Sequence, residues 1–355
     1  MSYFLILALV YVMANIDIAS NNDKKLSLML LLLLGFIISL FIGLRWNVGS
    51  DWDVYLNNYN FVHSEQFEIG YVFFEKLFYS SYLDYSYFLL FISSISIALI
   101  FTFLFKRVDY AIIAIMFFIA NYMLSFMGGN RQIIAIGLVF CSNIFIIERN
   151  KYKFVSCVLF ACFFHASSII YLVAYFFTVN YMSVTKRYVV LFSCVIFSAY
   201  IAPIMIEAAL QVFTLIGFGY IVNKLTVYQS VVFDNFSILS LLKKVIMLVF
   251  FDLFYKQVTS RERREFTDLF YNLYFFSVIF DSIVGPINAA FMRASVYFRL
   301  SEIVIVSLIV ATAKNKIQRI VLAFVFFVLC VRQLNSAINF YPELYMNYQN
   351  ILFGF

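Results

Sequence analysis

Charged side chains are scarce in this chain, and several of them gather where chemistry is possible. The segment Arg45-Trp-Asn-Val-Gly-Ser-Asp-Trp-Asp-Val-Tyr55, continuing to Gln66-Phe-Glu-Ile-Gly-Tyr71, concentrates Arg45, Asp51, Asp53, Glu65 and Glu68 directly after an apolar run. Carboxylates accept from sugar hydroxyls, aromatic faces such as Trp52 and Tyr55 pack on ring C–H groups, and an arginine fork suits phosphate. Arg131 follows Gly128-Gly-Asn130 and precedes Gln132 at the start of another apolar run. There the helix dipole and a fixed guanidinium would both favour an anion. His165, in Ala-Cys-Phe-Phe-His-Ala-Ser-Ser, falls near the middle of an apolar run, a depth at which an ionisable group is expensive enough to imply function. An imidazole there suits a proton acceptor or a phosphate donor. Arg293 and Arg299 flank the start of a late apolar run, and Arg299, if inside the membrane, must face a polar interior.

Plainer readings compete with these: a solvated loop with interface aromatics, an arginine snorkelling to headgroups, a hydrogen-bonded core histidine. The dense mixture of acid, base and tryptophan after an apolar run, and the depth of His165, favour function. Asp51 and Asp53 also form an Asp-x-Asp pair of the kind that holds Mg or Mn through oxygen ligands, although two or more arginines can serve a phosphate without a metal.

Composition sets the elements that must position these residues. Of 355 residues, 64% are hydrophobic and 12% charged, against roughly a quarter charged in soluble domains, and the mean hydropathy is +0.93. A soluble core cannot absorb that much apolar surface. Residues 26–44 carry no charge over the roughly 20 residues that cross a hydrocarbon core. In lipid every backbone amide must be satisfied within its own segment, so the spans should be helices. The expected fold is all-α, a polytopic transmembrane helix bundle of about 10 to 12 membrane segments, one domain over 1–355, with one longer external loop at 45–85. The apolar runs are 3–16, 26–44, 86–105, 109–127, 132–147, 154–178, 188–204, 236–255, 268–285, 294–313 and 318–340. The first lacks a basic leader and a small-residue cleavage site, and reads as a retained span. Cys141, Cys157, Cys162, Cys194 and Cys330 all fall inside apolar runs without CxxC spacing and read as packing residues.

The net charge of +6 does not point to nucleic acid, because the basic residues lie in short clusters between runs, as in cytoplasmic loops. Those clusters are Lys24 and Lys25; Lys106 and Arg107; Arg149, Lys151 and Lys153; Lys256 with Arg261, Arg263 and Arg264; and Lys314, Lys316 and Arg319. Placing them in the cytoplasm leaves 45–85, 128–131, 217–235, 286–293 and the tail after Asn339 outside. Lys186 and Arg187 break the parity, since one apolar run, 154–178, separates them from the preceding basic cluster. Either that run is a re-entrant pair of short helices turning near His165, or an extra crossing lies within 205–223; the first is preferred.

At these residues the sequence resembles the EpsG-like branch of Wzy-type polysaccharide polymerases. The resemblance is carried by Arg45 with Gly49-Ser-Asp-Trp-Asp-Val-Tyr55, Phe67-Glu-Ile-Gly-Tyr71, Asn130-Arg-Gln132 leading an apolar helix, Ala161-Cys-Phe-Phe-His165-Ala-Ser-Ser, and Arg293 to Arg299. It implies an enzyme of a bacterial cytoplasmic (inner) membrane that joins undecaprenyl-diphosphate-linked oligosaccharide repeat units into O-antigen, capsule or exopolysaccharide on the outer side. It also implies a flippase and a chain-length regulator as partners, and no cofactor. Arg45, Arg131, Arg293 and Arg299 would hold the diphosphates, with Trp52, Tyr55, Glu68 and Gln132 binding substrate and Asp51, Asp53 or His165 acting as base. Two alternatives share most of these features: a glycosyltransferase using a polyprenyl-phosphate sugar, and a lipid-linked oligosaccharide flippase. The flippase would be expected to show repeated halves, which the sequence lacks, and does not account for the acidic loop.

Overall fold

Asp23, Asn150 and Asn315 each stand one residue ahead of a lysine, and each caps a helix. Their side-chain oxygens accept from the backbone N–H groups of Leu26, Lys153 and Gln318 at 2.9, 3.1 and 2.8 Å, satisfying donors that a helix start leaves open. The computed structural model describes residues 2–62, 67–177, 182–217, 219–230, 238–257, 261–285 and 292–353. In chain order its helices are α1 (Ser2–Ala19), α2 (Lys24–Gly43), α3 (Trp52–Asn57), α4 (Ile69–Ser80), α5 (Tyr85–Arg107), α6 (Ala111–Asn121), α7 (Met123–Gly128), α8 (Asn130–Ile147), α9 (Lys151–Cys162), α10 (Val184–Ile216), α11 (Gly219–Ser230), α12 (Ile238–Tyr255), α13 (Arg261–Val284), α14 (Met292–Arg299), α15 (Ser301–Thr312), α16 (Lys316–Phe340) and α17 (Pro342–Tyr345). A 3₁₀ helix covers Ala166–Phe176, and the strands β1 (Arg45–Trp46) and β2 (Gln349–Asn350) pair antiparallel.

The protein is a polytopic helical membrane bundle. Among the described residues six segments are long and apolar enough to cross a membrane: α1, α2, α5, α8, α14 with α15, and α16. The bent α10 makes up to seven. Several of the other apolar runs are not single membrane-length helices, for physical reasons that can be named. The run 109–127 is two helices that meet at Tyr122, whose backbone leaves the helical range. The run 154–178 divides around His165 into α9 and the 3₁₀ helix. α12 carries Lys243, Lys244 and Asp252 within its 18 residues. α10 bends by 80° between Ser198 and Tyr200, where the ring of Pro203 crowds the carbonyl four residues earlier.

The chain forms two compact units, Met1–Tyr175 with Ile303–Phe355, and Phe176–Glu302. In the first, every residue of α6 from Ala111 to Ala120 is buried, as a helix enclosed on all sides requires. One end of this unit gathers the basic turns. Lys24 Nζ lies 3.5 Å from Asp109, Asn22 donates to the same carboxylate at 3.2 Å, Lys316 Nζ donates to the Ala19 carbonyl at 2.8 Å, and Arg107 faces Glu148 at 3.8 Å. Exposed pairs of this kind stabilise little; they show which turns share an end. The opposite end holds Arg45, the 47–62 segment, Glu68, the start of α8 and the returning C-terminal segment, whose Ile351 N–H donates to Leu44 O at 3.0 Å.

The second unit buries its charges in pairs. Arg187 is wholly buried: it donates to Asp252 at 2.8 Å and to the Met182 carbonyl at 2.6 Å, and its guanidinium lies 3.9 Å from the centre of the Tyr271 ring. Arg187 is therefore not the loop cation that the sequence suggested, and the parity argument built on it loses half its support. Asp281 accepts Lys244 Nζ at 2.5 Å and faces Arg299 Nη1 at 3.7 Å, so Arg299 does face a polar interior.

Gly49 seats the 45–50 segment against α7. Its φ is +116°, and a Cβ there would stand 2.3 Å from the Met127 carbonyl oxygen. Gly49→Ala should lower the melting temperature of the detergent-solubilised protein, with backbone strain alone costing about 1–3 kcal/mol. An unchanged melting temperature would mean that this segment is not seated on α7.

Candidate active site

The site is built around two buried arginines with different duties. Arg45 donates from Nε to Val48 O at 3.0 Å, from Nη1 to Ile42 O at 2.5 Å, and from Nη2 to Met127 O and Asn130 Oδ1, both at 2.7 Å. Four of the five N–H donors of the guanidinium are thus occupied by protein. Arg45 fixes the loop and the start of α8, instead of presenting its fork to a ligand as the sequence suggested. Asn130 passes the constraint on, donating to Tyr85 Oη at 2.9 Å.

Arg131, the second residue of α8, donates from Nε to Tyr55 Oη at 3.3 Å and from Nη1 to Glu68 Oε2 at 2.5 Å. Its guanidinium sits 4.2 Å from the Phe67 ring centre and 5.7 Å from that of Tyr55. Two of its five donors are used by described residues. Glu68 ends the extended segment before α4 without capping that helix. Its Oε1 instead takes His165 Nδ1 and the Ala166 backbone N–H, each at 3.1 Å. Gly70 makes this approach possible: its N–H donates to Phe163 O at 2.8 Å, and a Cβ at Gly70 would stand 2.8 Å from the same oxygen.

Burial alone would push the Glu68 carboxyl up, but the His165 hydrogen bond, the charges of Arg131 and His165, and the Ala166 N–H outweigh it and hold the pKa at about 2. A carboxylate that stays ionised has no proton to give. His165 Nδ1 is therefore the donor in that contact, the arrangement of a histidine oriented by a carboxylate. Arg131, Glu68 and His165 form one connected cluster.

The other sequence candidates are placed less uniformly. Trp52 is 4% exposed and packed between Arg45, Trp46 and Tyr85, with ring centres 5.4 Å away in the last two cases; it is a packing residue where a sugar platform was expected. Tyr55 is buried against Arg131. Asp51 is half-buried at the start of α3 and Asp53 exposed in its first turn. Residues two apart on a helix do not share a face, and no group of three or more His, Cys, Asp or Glu suited to a metal occurs among the described residues, so the Asp-x-Asp metal reading finds no support. Gln132 is half-buried one residue after Arg131. Arg293 is exposed and Arg299 half-buried, both in the second unit. Glu65 and Gln66 lie outside the described residues.

A family model for the EpsG family matches residues 28–350. The chain belongs to the EpsG family. Neither a curated protein nor a solved structure matches it. The family match runs through the Arg131, Glu68 and His165 cluster and through both units.

Glu75 escaped the sequence reading, although Glu68, Tyr71 and Glu75 recur at the spacing of one helix face. It is fully buried, accepts from Asn58 Nδ2 at 2.7 Å, and has no partner for Oε1 among the described residues. Burial pushes its pKa up to about 7, against the opposing effect of Asn58 and of the Arg131 charge. The folded protein therefore holds this proton more tightly than the unfolded chain, and stability should fall as pH rises from about 4.5 through about 7. Glu75→Gln should flatten that part of the profile and raise the melting temperature near pH 8 relative to wild type. Parallel profiles for the two proteins would show that Glu75 is not protonated in the fold.

Proposed function

We propose that this EpsG-family protein is a membrane polymerase that joins oligosaccharide repeat units carried on undecaprenyl diphosphate, at the outer face of a bacterial cytoplasmic membrane. The observation that carries the reading is the Arg131, Glu68 and His165 cluster at the end of the first unit opposite the basic turns. Basic turns favour the cytoplasmic side, which leaves the cluster outside, where delivered lipid-linked units would meet it.

In the proposed reaction a hydroxyl of the incoming unit attacks the anomeric carbon of the growing chain. A new C–O bond forms, the bond from that carbon to the diphosphate oxygen breaks, and the lipid diphosphate leaves with the electron pair. His165 Nε2 takes the hydroxyl proton, while Glu68 holds the ring and stabilises the imidazolium. The donors of Arg131 not engaged by Tyr55 and Glu68 face the negative charge that grows on the leaving oxygen. Among the three base candidates, His165 is favoured because it is tied to a carboxylate and, through it, to a phosphate-suited cation.

Arg131→Lys should fail nearly as badly as Arg131→Ala, each lowering long-chain surface polysaccharide by about 10²-fold or more, because a point charge does not reproduce a planar fork. The readout is the ladder of chain lengths in cells lacking the native gene. Full-length ladders from the lysine variant would reduce Arg131 to an interface anchor. A deletion strain should still display single repeat units; their complete loss, with lipid-linked units trapped inside, would favour the flippase. Orientation has its own test: in intact cells a membrane-impermeant thiol reagent should label Asp53→Cys and not Lys151→Cys, and the reverse pattern would invert the topology.

A further inference from the structure

α4 turns Tyr71 and Glu75 inward and leaves Ile69, Phe73 and Leu77 at 71%, 62% and 49% exposure. Spaced four apart, these three share one face of the helix. The face continues onto α9. The Phe73 ring meets Phe74, Phe74 stacks on Phe164, and Phe164 meets Phe160, at centre separations of 5.3, 6.1 and 5.7 Å. Phe160 and its neighbour Phe163, 6.3 Å away, are exposed again at 53% and 52%. Two helices thus present one apolar wall.

The wall begins at the cluster. Ile69 follows Glu68, whose carboxylate holds Arg131 at 2.5 Å, and the Phe67 ring lies 4.2 Å from the same guanidinium. On the α9 side, Phe163 stands two residues before His165, and its carbonyl accepts the Gly70 N–H at 2.8 Å. Depth follows from helix rise. From Arg131 to Ile147 along α8, and from Lys151 to His165 along α9 and its last turn, 1.5 Å per residue amounts to about 20–24 Å. The hydrocarbon core is about 30 Å thick. With the basic turns at the cytoplasmic face, the cluster and the wall therefore lie below the outer headgroups. The 3₁₀ helix does not carry the chain outward from there: Tyr175 Oη donates to the Arg149 carbonyl at 3.3 Å, and the Tyr175 ring packs 5.5 Å from Phe154. His165 sits at the turn of a hairpin whose two ends share the basic side.

A cation at that depth, with an exposed apolar wall leading away from it, suits an occupant that is anionic at one end and a long hydrocarbon behind. A diphosphate brings more negative charge to Arg131 than the diester of a membrane phospholipid does, and the chain packs on the rings by dispersion. Lys76, exposed three residues after Phe73, reaches the headgroups by snorkelling and marks the outer limit of the wall.

We propose that the wall of Ile69, Phe73, Phe160 and Phe163 seats the polyprenyl chain of the lipid-linked substrate, which enters sideways from the bilayer and brings its diphosphate to Arg131. The inference rests on the polymerase reading and adds the route and seat of the lipid.

The test replaces Phe73 or Phe163 with photoreactive benzoylphenylalanine in the full-length protein. The protein is placed in vesicles of phosphatidylethanolamine and phosphatidylglycerol containing undecaprenyl diphosphate. Phe36 in α2 and Phe324 in α16, exposed at 64% and 54% on helices that contribute nothing to the wall, report contact with ordinary lipid. Undecaprenyl diphosphate, read by mass spectrometry as a share of all lipid adducts, should be enriched about tenfold or more at Phe73 and Phe163 over these controls. All four side chains are exposed, so folding should survive, as a melting curve would show. Equal shares at the four positions, or a cross-linked dimer at Phe73 or Phe163 in place of the lipid adduct, overturns the seat. Enrichment that survives Arg131→Ala overturns the placement of the diphosphate. If Arg131→Ala cells meanwhile still lack long chains, the polymerase reading stands without the seat. Normal chains in those cells would overturn the polymerase reading itself.

Discussion

A guanidinium removed from water must find acceptors or destabilise the fold, and the way Arg45 finds them organises one end of the first unit. Ile42 O belongs to the last turn of α2 and Met127 O to the last turn of α7, positions where helix carbonyls lack intrahelical partners. A cation placed between two such ends also meets the negative ends of both dipoles. The same group binds Val48 O and orients Asn130. One side chain therefore joins α2, the 45–50 segment, α7 and α8, and Gly49 allows the close approach this requires.

From Asn130 the constraint passes in two directions. Its amide group fixes Tyr85 at the start of α5, and its backbone begins the helix on which Arg131 is the next residue. Arg131 is then committed to Glu68, and Glu68 to His165. Each charge is compensated by a neighbour, so the cluster tolerates burial that an isolated arginine or carboxylate would not. That compensation is partial by design of the geometry: the carboxylate spends one oxygen on each partner, and the guanidinium keeps donors for another anion.

The second unit handles charge by the same rule. Asp252 is shared by Arg187, Tyr188 and Tyr271, at 2.8, 2.7 and 2.5 Å, and Asp281 by Lys244 and Arg299. These residues lower the hydropathy of α12 and α13, yet they cost less inside than composition implies, because Asp252 and Asp281 each meet a cation. The difference between apolar runs and membrane-length helices in this chain comes largely from such pairs and from the breaks at Tyr122 and His165.

The sequence by itself determined the solvent and the secondary structure. So little charge spread over so many apolar runs leaves lipid as the medium, and lipid leaves helices as the means of satisfying the backbone. It also singled out Arg131, Glu68 and His165, because ionisable residues in apolar surroundings are few enough to notice. What it did not determine was duty. Arg45 and Arg131 look alike in the sequence, each polar beside an apolar helix; only tertiary contacts spend one on carbonyls and aim the other at Glu68. Trp52 read as a face for a sugar ring and is buried, Arg187 read as a loop cation and is paired, and Glu75 was hidden because burial depends on which face of α4 turns inward. Hydropathy is a local property of the chain, whereas the partner of a buried charge arrives from 63 residues away in Glu68 with Arg131 and 97 in Glu68 with His165, and only the packed helices bring them together.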